Sequence, residues 1–400
     1  MVNINYVADI INEFYIIMKK LLIIHNKYQN IGGEDVAVEN EVEILKKYFD
    51  VEFLYFKNNN SITLKQLVSF ITNNNSESIN LLQNKIASFK PDVVYVHNTW
   101  FKASLGIFKI LDKMNIKTIV KLHNFRYICT STFLASKHLD GKNLCMACGY
   151  KKKPLNFFNR YFTESFLKSL FVLIYGKKYF QILKAKRVNL LVLTDFHKKF
   201  INQIVGFRSK IFVFPNAINF QSKNLKIKKE DSILYAGRVS KEKGVDKLIE
   251  SFEKAKLENT TLRIIGDGPL LEELKIKYNT NDKIVFLGIL SNKTVLDLIE
   301  KSIAVVTATQ LYEGQPTLLC EASSLGVPSI FPRSGGIEEF FPENYPLSFN
   351  QFDYEDLEKK IKLISKMSEL EKIGKNNKNY IFNYLNEKKL IESFNIIING

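Results

Sequence analysis

The chain has 400 residues, of which 46% are hydrophobic and 24% are charged; this balance is typical of folded proteins and excludes a disordered chain, a collagen and a coiled coil. The formal net charge of +16 is concentrated between residues 151 and 229, which hold 18 lysines and arginines but two acids, Glu164 and Asp195. Because the rest of the chain is balanced, this segment predicts a local basic surface and an anionic partner.

No uninterrupted apolar run approaches the roughly 18 residues that a membrane-spanning helix needs, and the longest candidate, 166–174, is interrupted by Lys168. Asp9 and Glu13 precede the first basic residues, which is not the order of a secretory signal. The four cysteines, at positions 129, 145, 148 and 320, are too few and too clustered for a disulfide framework. We therefore expect reduced thiols and a cytoplasmic location.

The first half of the chain predicts a doubly wound α/β domain at residues 18–218. Residues 1–17 are unlike the rest of the chain and are interpreted as an extension without an assigned function. Strands are predicted at 21–25, 51–56, 93–97, 118–123, 190–194 and 211–214, with helices such as 38–48 and 104–114 between them. Strands that are apolar on both faces and alternate with helices are typical of a parallel sheet covered on both sides.

A second series of strands predicts a second domain of the same kind at residues 219–384. It comes after a polar, lysine-rich stretch at 219–231 that is typical of a linker. Strands are predicted at 233–236, 261–265, 283–287, 304–307 and 328–331. A helical stretch is predicted from about 356 to 398, and the C-terminal helix, at about 385–400, is expected to pack back on the first domain. Two Rossmann-like domains predict a ligand cleft at the carboxyl ends of both sheets.

Two carboxylates stand eight residues apart, Glu313 in a Gly-Pro loop and Glu321 in the helix after it. A helix N-terminus with free backbone N–H groups binds phosphate, whereas carboxylates accept hydrogen bonds from vicinal hydroxyls. The combination favours a nucleotide sugar as ligand. The alternative is that Glu313 is a solvated loop acid and that Glu321 only caps or pairs on its helix.

Arg238 and Lys243 occupy a turn that leaves a buried strand at Gly237 and enters a helix near Gly244. Arginine offers a planar fork to phosphate oxygens and lysine a mobile charge, so the pair is suited to neutralise a departing diphosphate. The alternative is a pair of solvated basic residues.

Together these segments resemble the GT-B glycosyltransferases of the large retaining family four, the glycosyl transferases group 1 type, over residues 18 to about 390. The segments that carry the resemblance are Arg238-x4-Lys243-Gly244, Glu313-x7-Glu321, Gly266-Asp267-Gly268-Pro269, Phe286-Leu287-Gly288, Gly32-Gly33-Glu34-Asp35, His97-Asn98, His123-Asn124-Phe125-Arg126 and Pro215-Asn216-Ala217-Ile218. The resemblance implies two Rossmann-like domains facing a central cleft.

It also implies roles for individual residues on the donor side. Arg238 and Lys243 would bind the donor diphosphate, Glu321 the ribose hydroxyls, and Glu313 the transferred sugar. The backbone of Gly314, Gln315, Pro316 and Thr317 would add to phosphate binding, and the glycine loop of Gly32 and Gly33 would approach the diphosphate.

On the acceptor side the resemblance implies that His123 lies near the anomeric carbon, with His97 and Arg126 as further candidates. Glu34 or Asp35 would orient the acceptor hydroxyl, or alternatively cap the helix that begins there. The family retains the anomeric configuration and needs no metal or other cofactor. The leaving diphosphate oxygen would take the acceptor proton, so catalysis would depend on positioning and electrostatics.

Cys145-x-x-Cys148 with Cys129, and with His123 or His138, has the ligand types of a structural zinc site, but reduced loop cysteines are the preferred interpretation. A nicotinamide dehydrogenase is disfavoured because the glycines at 266 and 268 lack the third glycine and the acidic residue of a dinucleotide fingerprint.

Aromatic residues interleave with the basic side chains between 157 and 187, which suits an anionic membrane surface at the inner face of the plasma membrane. The aromatic and apolar residues of this stretch are Phe158, Tyr161, Phe162, Phe166, Leu170, Ile174, Tyr179 and Phe180. The acceptor would then be a lipid-linked saccharide or a growing surface polysaccharide. The alternative interpretation of this stretch is an internal helix pair with its lysines solvated. The alternatives to a glycosyltransferase function are a GT-B sugar-nucleotide epimerase and a non-catalytic membrane- or nucleic-acid-binding protein. No nucleic-acid recognition motif accompanies the charge.

Overall fold

The structure is a computed structural model that describes residues 18–27, 33–58, 64–125, 145–147, 149, 166–185, 187–205, 210–218, 228–365 and 367–400. Within these ranges the chain forms two six-stranded parallel sheets with helices between the strands. This confirms the predicted α/β class with two doubly wound sheets.

The first sheet has the strand order β2-β1-β3-β4-β5-β6. Its strands are β1 (Lys20–Lys27), β2 (Asp50–Lys57), β3 (Val93–Asn98), β4 (Lys117–Lys121), β5 (Val188–Val192) and β6 (Ile211–Val213). β3 is buried along its whole length, as a central strand covered on both faces must be. Since β1 pairs with both β2 and β3, the winding of the chain reverses between β1 and β3.

The second sheet has the strand order β12-β11-β10-β7-β8-β9. Its strands are β7 (Glu230–Ala236), β8 (Thr261–Ile265), β9 (Ile284–Gly288), β10 (Ser302–Val306), β11 (Ser329–Arg333) and β12 (Ser348–Asn350). β7 pairs with β8 on one side and β10 on the other, so the winding reverses between β7 and β10. Ligands of open α/β sheets bind outside the carboxyl ends of the strands at such a reversal.

Helices connect the strands, and several begin at a side-chain cap, such as Asn75, Ser291 and Asp353. The helices are α1 (Gly33–Leu45), α2 (Leu64–Thr72), α3 (Ser76–Phe89), α4 (Gly106–Lys113), α5 (Phe166–Leu183), α6 (Asp195–Val205), α7 (Val245–Ala255), α8 (Leu271–Lys277), α9 (Asn292–Lys301), α10 (Thr317–Ser324), α11 (Tyr354–Ile364), α12 (Leu370–Tyr384) and α13 (Glu387–Asn399), with short 3-10 turns at Lys241–Lys243 and Ile337–Phe340.

Three local predictions differ from the structure. The helical stretch predicted from 356 to 398 is three helices, and the last begins where Asn386 Oδ1 accepts the Lys389 N–H at 3.3 Å. The strand predicted to end at His123 ends at Lys121, and β7 begins at Glu230, inside the predicted linker. β12, with three residues, was missed because so short a strand leaves no periodicity to detect.

The chain divides into two compact units, residues 1–121 with 187–189 and 398–400, and residues 122–186 with 190–397. The predicted boundaries at 218 and 384 stay predictions. In the first unit Lys117 Nζ donates to the Ile398 carbonyl at 3.1 Å. None of the helices in the described ranges has both the length and the apolar character required to traverse a bilayer.

Candidate active site

The candidate site lies where the second sheet reverses its winding, in the loops after β7 and β10. The loop after β7 carries Arg238 and Lys243, and the connection from β10 to α10 carries Glu313. Because β7 and β10 are neighbours in the sheet, these two loops leave it side by side.

Backbone contacts fix the loop after β7. The Tyr235 hydroxyl donates to the Arg238 carbonyl at 2.8 Å, and the Val239 amide donates to the Asp267 carbonyl at 2.9 Å. The Arg238 side chain is exposed and makes no hydrogen bond or ion pair to the residues that the structure describes. Its guanidinium is therefore available for an anion.

Lys243 is held at the end of the 3-10 turn by the geometry of the next residue. Gly244 has φ 66°, and a Cβ there would lie 2.1 Å from the Ala308 carbonyl oxygen, so only glycine fits. Lys243 Nζ lies 2.5 Å from Glu313 Oε1, and the two side chains are 32% and 24% exposed. The predicted cation and the predicted carboxylate thus meet directly.

Glu313 is more constrained than a solvated loop acid would be. Its Oε1 also accepts the Thr309 hydroxyl at 2.9 Å, and its carbonyl accepts the Gly336 amide at 2.8 Å. Gly335, at φ 62°, packs so closely that a Cβ would lie 2.3 Å from the Glu313 carbonyl oxygen. Carboxylate and backbone are therefore both held before any ligand binds.

α10 presents its N-terminus next in the chain. The Cys320 amide is bonded to the Pro316 carbonyl at 3.0 Å, and the helix amides before Cys320 precede the first intrahelical bond. Gln315, a predicted donor residue, has its side-chain amide on the backbone of Asn216: it accepts the Asn216 N–H at 2.5 Å and donates to the Asn216 carbonyl at 2.9 Å.

Glu321 lies in the second half of α10 and is half-buried. Burial raises its pKa to about 7, against a hydrogen bond from Asn292 that lowers it. The adjacent Cys320 is fully buried, and burial raises the pKa of its thiol well above the usual range. Glu321 is thus a carboxyl group that titrates near neutral pH, and Cys320 is a core residue, as predicted.

In the first unit Gly33 begins α1, and Glu34 and Asp35 lie in its first turn. Asp35 is buried, and its Oδ1 lies 2.8 Å from His25 Nε2. His97 is buried near the end of β3, with its ring centroid 6.2 Å from that of His25.

His123 is half-buried two residues after β4, and the residue between them, Leu122, is buried. Three predicted site residues, Gly32, Arg126 and Cys129, lie outside the described residues, as do Cys148 and His138. The predicted zinc ligand set therefore stays a prediction; among the residues described there is no cluster of three metal-ligating side chains.

Sequence reasoning missed Thr309 and His25 because neither belongs to a motif with a recognisable spacing. The only signal for His25 was its place at the carboxyl end of the first strand, beside the winding reversal of the first sheet. Thr309 contacts Glu313 only through the conformation of a loop.

Helix α5 places part of the basic-aromatic stretch in the core. Tyr175 and Tyr179 are buried, so Tyr179, predicted on the basic-aromatic surface, is instead a core residue. Lys177 is exposed, and Lys184 Nζ lies 4.3 Å from the centroid of the Phe180 ring. A helix that buries its aromatic side and exposes its lysines has the same mixed basic and aromatic sequence as a membrane-binding surface, and for this reason the prediction for Tyr179 was wrong.

Comparison with solved structures places this architecture in the GT-B class of glycosyltransferase folds. A sucrose-phosphate synthase from Thermosynechococcus elongatus superposes with a TM-score of 0.68 at 15% identity, covering 95% of this chain and 98% of that one. Anabaena HepE, in complex with UDP and glucose, has a TM-score of 0.66 at 12% identity, covering 95% and 99%. Identities this low show the fold alone.

Residues 217–380 match the family model for glycosyl transferases group 1. A relative, the amylovoran biosynthesis glycosyltransferase AmsD of Erwinia amylovora, is 23% identical over 332 residues, covering 78% of this chain and 80% of the relative. The chain is thus a glycosyltransferase with a GT-B fold, and its similarity to the group 1 family covers residues 217–380. The matched segment contains Arg238, Lys243, Glu313 and Glu321.

Proposed function

We propose that this protein transfers a sugar, with retention of anomeric configuration, from a nucleotide-diphosphate sugar to a saccharide acceptor. The observation that carries the proposal is the 2.5 Å contact between Lys243 and Glu313 at the winding reversal of the second sheet, with the exposed Arg238 in the same loop as Lys243. The structural relative seen with UDP and glucose supports a donor of this class.

The charges of the site suit such a donor. Lys243 neutralises Glu313, so the carboxylate does not repel an incoming diphosphate, and Arg238 contributes a further positive charge. Free amides at the start of α10 add the positive end of a helix dipole. A diphosphate is therefore bound by cations, while Glu313 Oε2 is left to accept from sugar hydroxyls.

The proposed reaction breaks the bond between the anomeric carbon and the diphosphate oxygen and forms a bond from that carbon to the acceptor oxygen on the same face. The acceptor proton passes to the leaving diphosphate oxygen, whose growing negative charge Arg238 and Lys243 stabilise. Glu313 fixes the sugar, Glu321 accepts from the ribose hydroxyls, and His123 lies on the acceptor side.

We infer that the acceptor is a lipid-linked saccharide or a growing surface polysaccharide of capsule, O-antigen or exopolysaccharide type. Similarity to a glycosyltransferase of amylovoran biosynthesis supports a polysaccharide product. The excess of 18 basic over two acidic residues in 151–229, with Lys177 exposed on α5, supports an anionic membrane at which such an acceptor is presented.

A donor screen tests the proposed function. Purified protein is incubated with UDP-, GDP- and dTDP-linked sugars, and nucleoside diphosphate release is measured with and without oligosaccharide acceptors. We expect release that depends on acceptor with at least one donor, abolished to within about 1% by Glu313→Gln and unchanged by Glu338→Gln, which removes an exposed charge nearby. A changed sugar without released nucleotide would instead indicate an epimerase, and no reaction with any donor would refute the proposal.

Vesicle binding tests the membrane proposal. Lys177→Glu with Lys184→Glu is compared with the control Lys275→Glu with Lys372→Glu, which changes the total charge equally at exposed helix positions outside the basic segment. We expect the first pair to weaken binding to phosphatidylglycerol vesicles by about tenfold or more and the control to have less than half that effect in free energy. Equal losses would show that only total charge matters.

A further inference from the structure

The Glu339 carboxylate, in the connection that follows β11 of the second sheet, caps helix α6, which follows β5 of the first sheet. The Asp195 amide donates to Glu339 Oε2 at 2.7 Å and the Phe196 amide to Glu339 Oε1 at 2.8 Å, at the start of α6. The His197 amide donates to the Thr194 hydroxyl at 3.0 Å. The first three amides of α6, which have no partners within the helix, are thereby satisfied by two different side chains.

Segment 334–339, which carries Glu339, also holds the backbone of the loop that carries Glu313. Gly336 donates its amide to the Glu313 carbonyl at 2.8 Å, and the Ser334 hydroxyl donates to the Leu311 carbonyl at 2.8 Å. A Cβ at Gly336 would lie 2.5 Å from the Thr194 hydroxyl oxygen, so the segment packs directly on the start of α6. Only two residues separate Gly336 from Glu339.

We propose that Glu339 is a positioning residue for sugar transfer: by gripping the first amides of α6 it fixes segment 334–339, and this segment holds Glu313 in place against Lys243. The inference rests on the proposed function for its kinetic consequence, but the mechanical coupling does not depend on it. Glu339 itself has no role at the reacting atoms.

The electrostatics of the contact favour a charged clamp over ordinary packing. Both carboxylate oxygens are used, and a negative charge at a helix N-terminus gains from the helix dipole as well as from charge-assisted hydrogen bonds. The Tyr380 hydroxyl donates to the Glu339 carbonyl at 3.1 Å and restrains its backbone. Burial raises the pKa of the Glu339 carboxyl, while the two amides of α6 oppose that rise.

Glu339→Gln keeps the shape of the side chain but removes its charge and one acceptor oxygen. Two controls separate positioning from stability. Glu338→Gln removes the neighbouring exposed charge, and Thr194→Val removes the other cap of α6 while keeping the bulk that packs on Gly336 and leaving the Glu339 hydrogen bonds in place.

Amide hydrogen exchange followed by mass spectrometry tests the coupling without any ligand. We expect Glu339→Gln to speed exchange at least about fivefold in peptides covering both 195–198 and 309–317, and Thr194→Val to speed exchange only in the first of these. Unchanged exchange in 309–317 for Glu339→Gln would overturn the proposal. Should Glu339→Gln fail to fold, Glu339→Asp, which is too short to hold both amides at once, is judged by the same criteria.

Steady-state kinetics with the donor found active in the screen test the consequence. Glu339→Gln is expected to lower kcat about tenfold with the donor KM within about threefold, because Arg238 and the amides of α10 still bind the diphosphate. Both controls should keep kcat within about twofold. An equal loss of kcat in Thr194→Val would overturn the proposal, since it would mean that the stability of α6 alone matters. A wild-type protein inactive with every donor refutes the proposed function, and the exchange result still decides the coupling.

Discussion

Replacing His197 by leucine is expected to make the protein less sensitive to acid. The His197 side chain is fully buried on α6, its ring lies 4.3 Å from that of Phe125, and both of its ring nitrogens lack a hydrogen-bond partner among the residues that the structure describes. Burial lowers its pKa from 6.5 to about 3, because the charged imidazolium would lose its hydration without gaining a partner.

The size of the effect is set by linkage between protonation and folding. The folded-state pKa lies below the unfolded value, so the neutral histidine favours folding above pH 6.5, and this contribution is lost as the pH falls from 6.5 towards 3. At pH 7 the loss is about 0.2 kcal/mol, and at pH 5 it reaches about 2 kcal/mol. A leucine of similar volume does not titrate and leaves no buried polar atom unpaired.

Urea unfolding, followed by fluorescence, gives the free energy of unfolding at pH 7 and pH 5. The change between the two pH values is then compared in the wild type and in His197→Leu. Between the two pH values the wild type should lose about 2 kcal/mol more than His197→Leu, whatever the other titrating groups contribute to both proteins. Equal losses in the two proteins would refute the reasoning, because they would require that His197 is solvated or partnered in solution.

Two further predictions concern the candidate donor site, and a third concerns stability. If Glu321 must be ionised to hold ribose hydroxyls, a carboxyl pKa of about 7 means that a nucleotide sugar binds about tenfold more weakly at pH 6 than at pH 8, and calorimetry should show that Glu321→Gln removes this dependence. Lys243→Met should lower the transfer rate about a hundredfold by removing the counter-charge of Glu313, whereas an unchanged rate would separate the pair from catalysis. Gly266→Ala should destabilise the protein by more than about 2 kcal/mol in thermal unfolding, since the residue has φ 127° and a Cβ would lie 1.9 Å from a carbonyl oxygen; Gly33→Ala, with open space around its Cβ, should change stability by less than about 1 kcal/mol.

The elements that the sequence predicted best are those with a strong physical signature. A buried, largely apolar strand such as β3 can be recognised from its residue types alone, whereas the roles of Arg238, Lys243 and Glu313 stay predictions. The contact between Lys243 and Glu313 spans 70 residues, and only the strand order, which places β7 beside β10, brings the two loops together. No local pattern contains that order.

Two other features depend entirely on tertiary packing. Glu339 appears in the sequence as one of two adjacent acids after a glycine pair, and nothing local distinguishes it from the exposed Glu338. Tyr179 appeared to belong to a basic surface because its neighbours are lysines, but burial depends on which face of α5 meets the core.

Calorimetric titration with UDP, GDP and dTDP tests the central claim most directly, since it asks whether Arg238 and Lys243 form a diphosphate site. At least one nucleotide should bind the wild type, Arg238→Met and Lys243→Met should each weaken that binding about tenfold or more, and Glu338→Gln should bind like the wild type. Absence of binding by all three nucleotides, or equal affinities in the wild type and both methionine variants, would contradict the account.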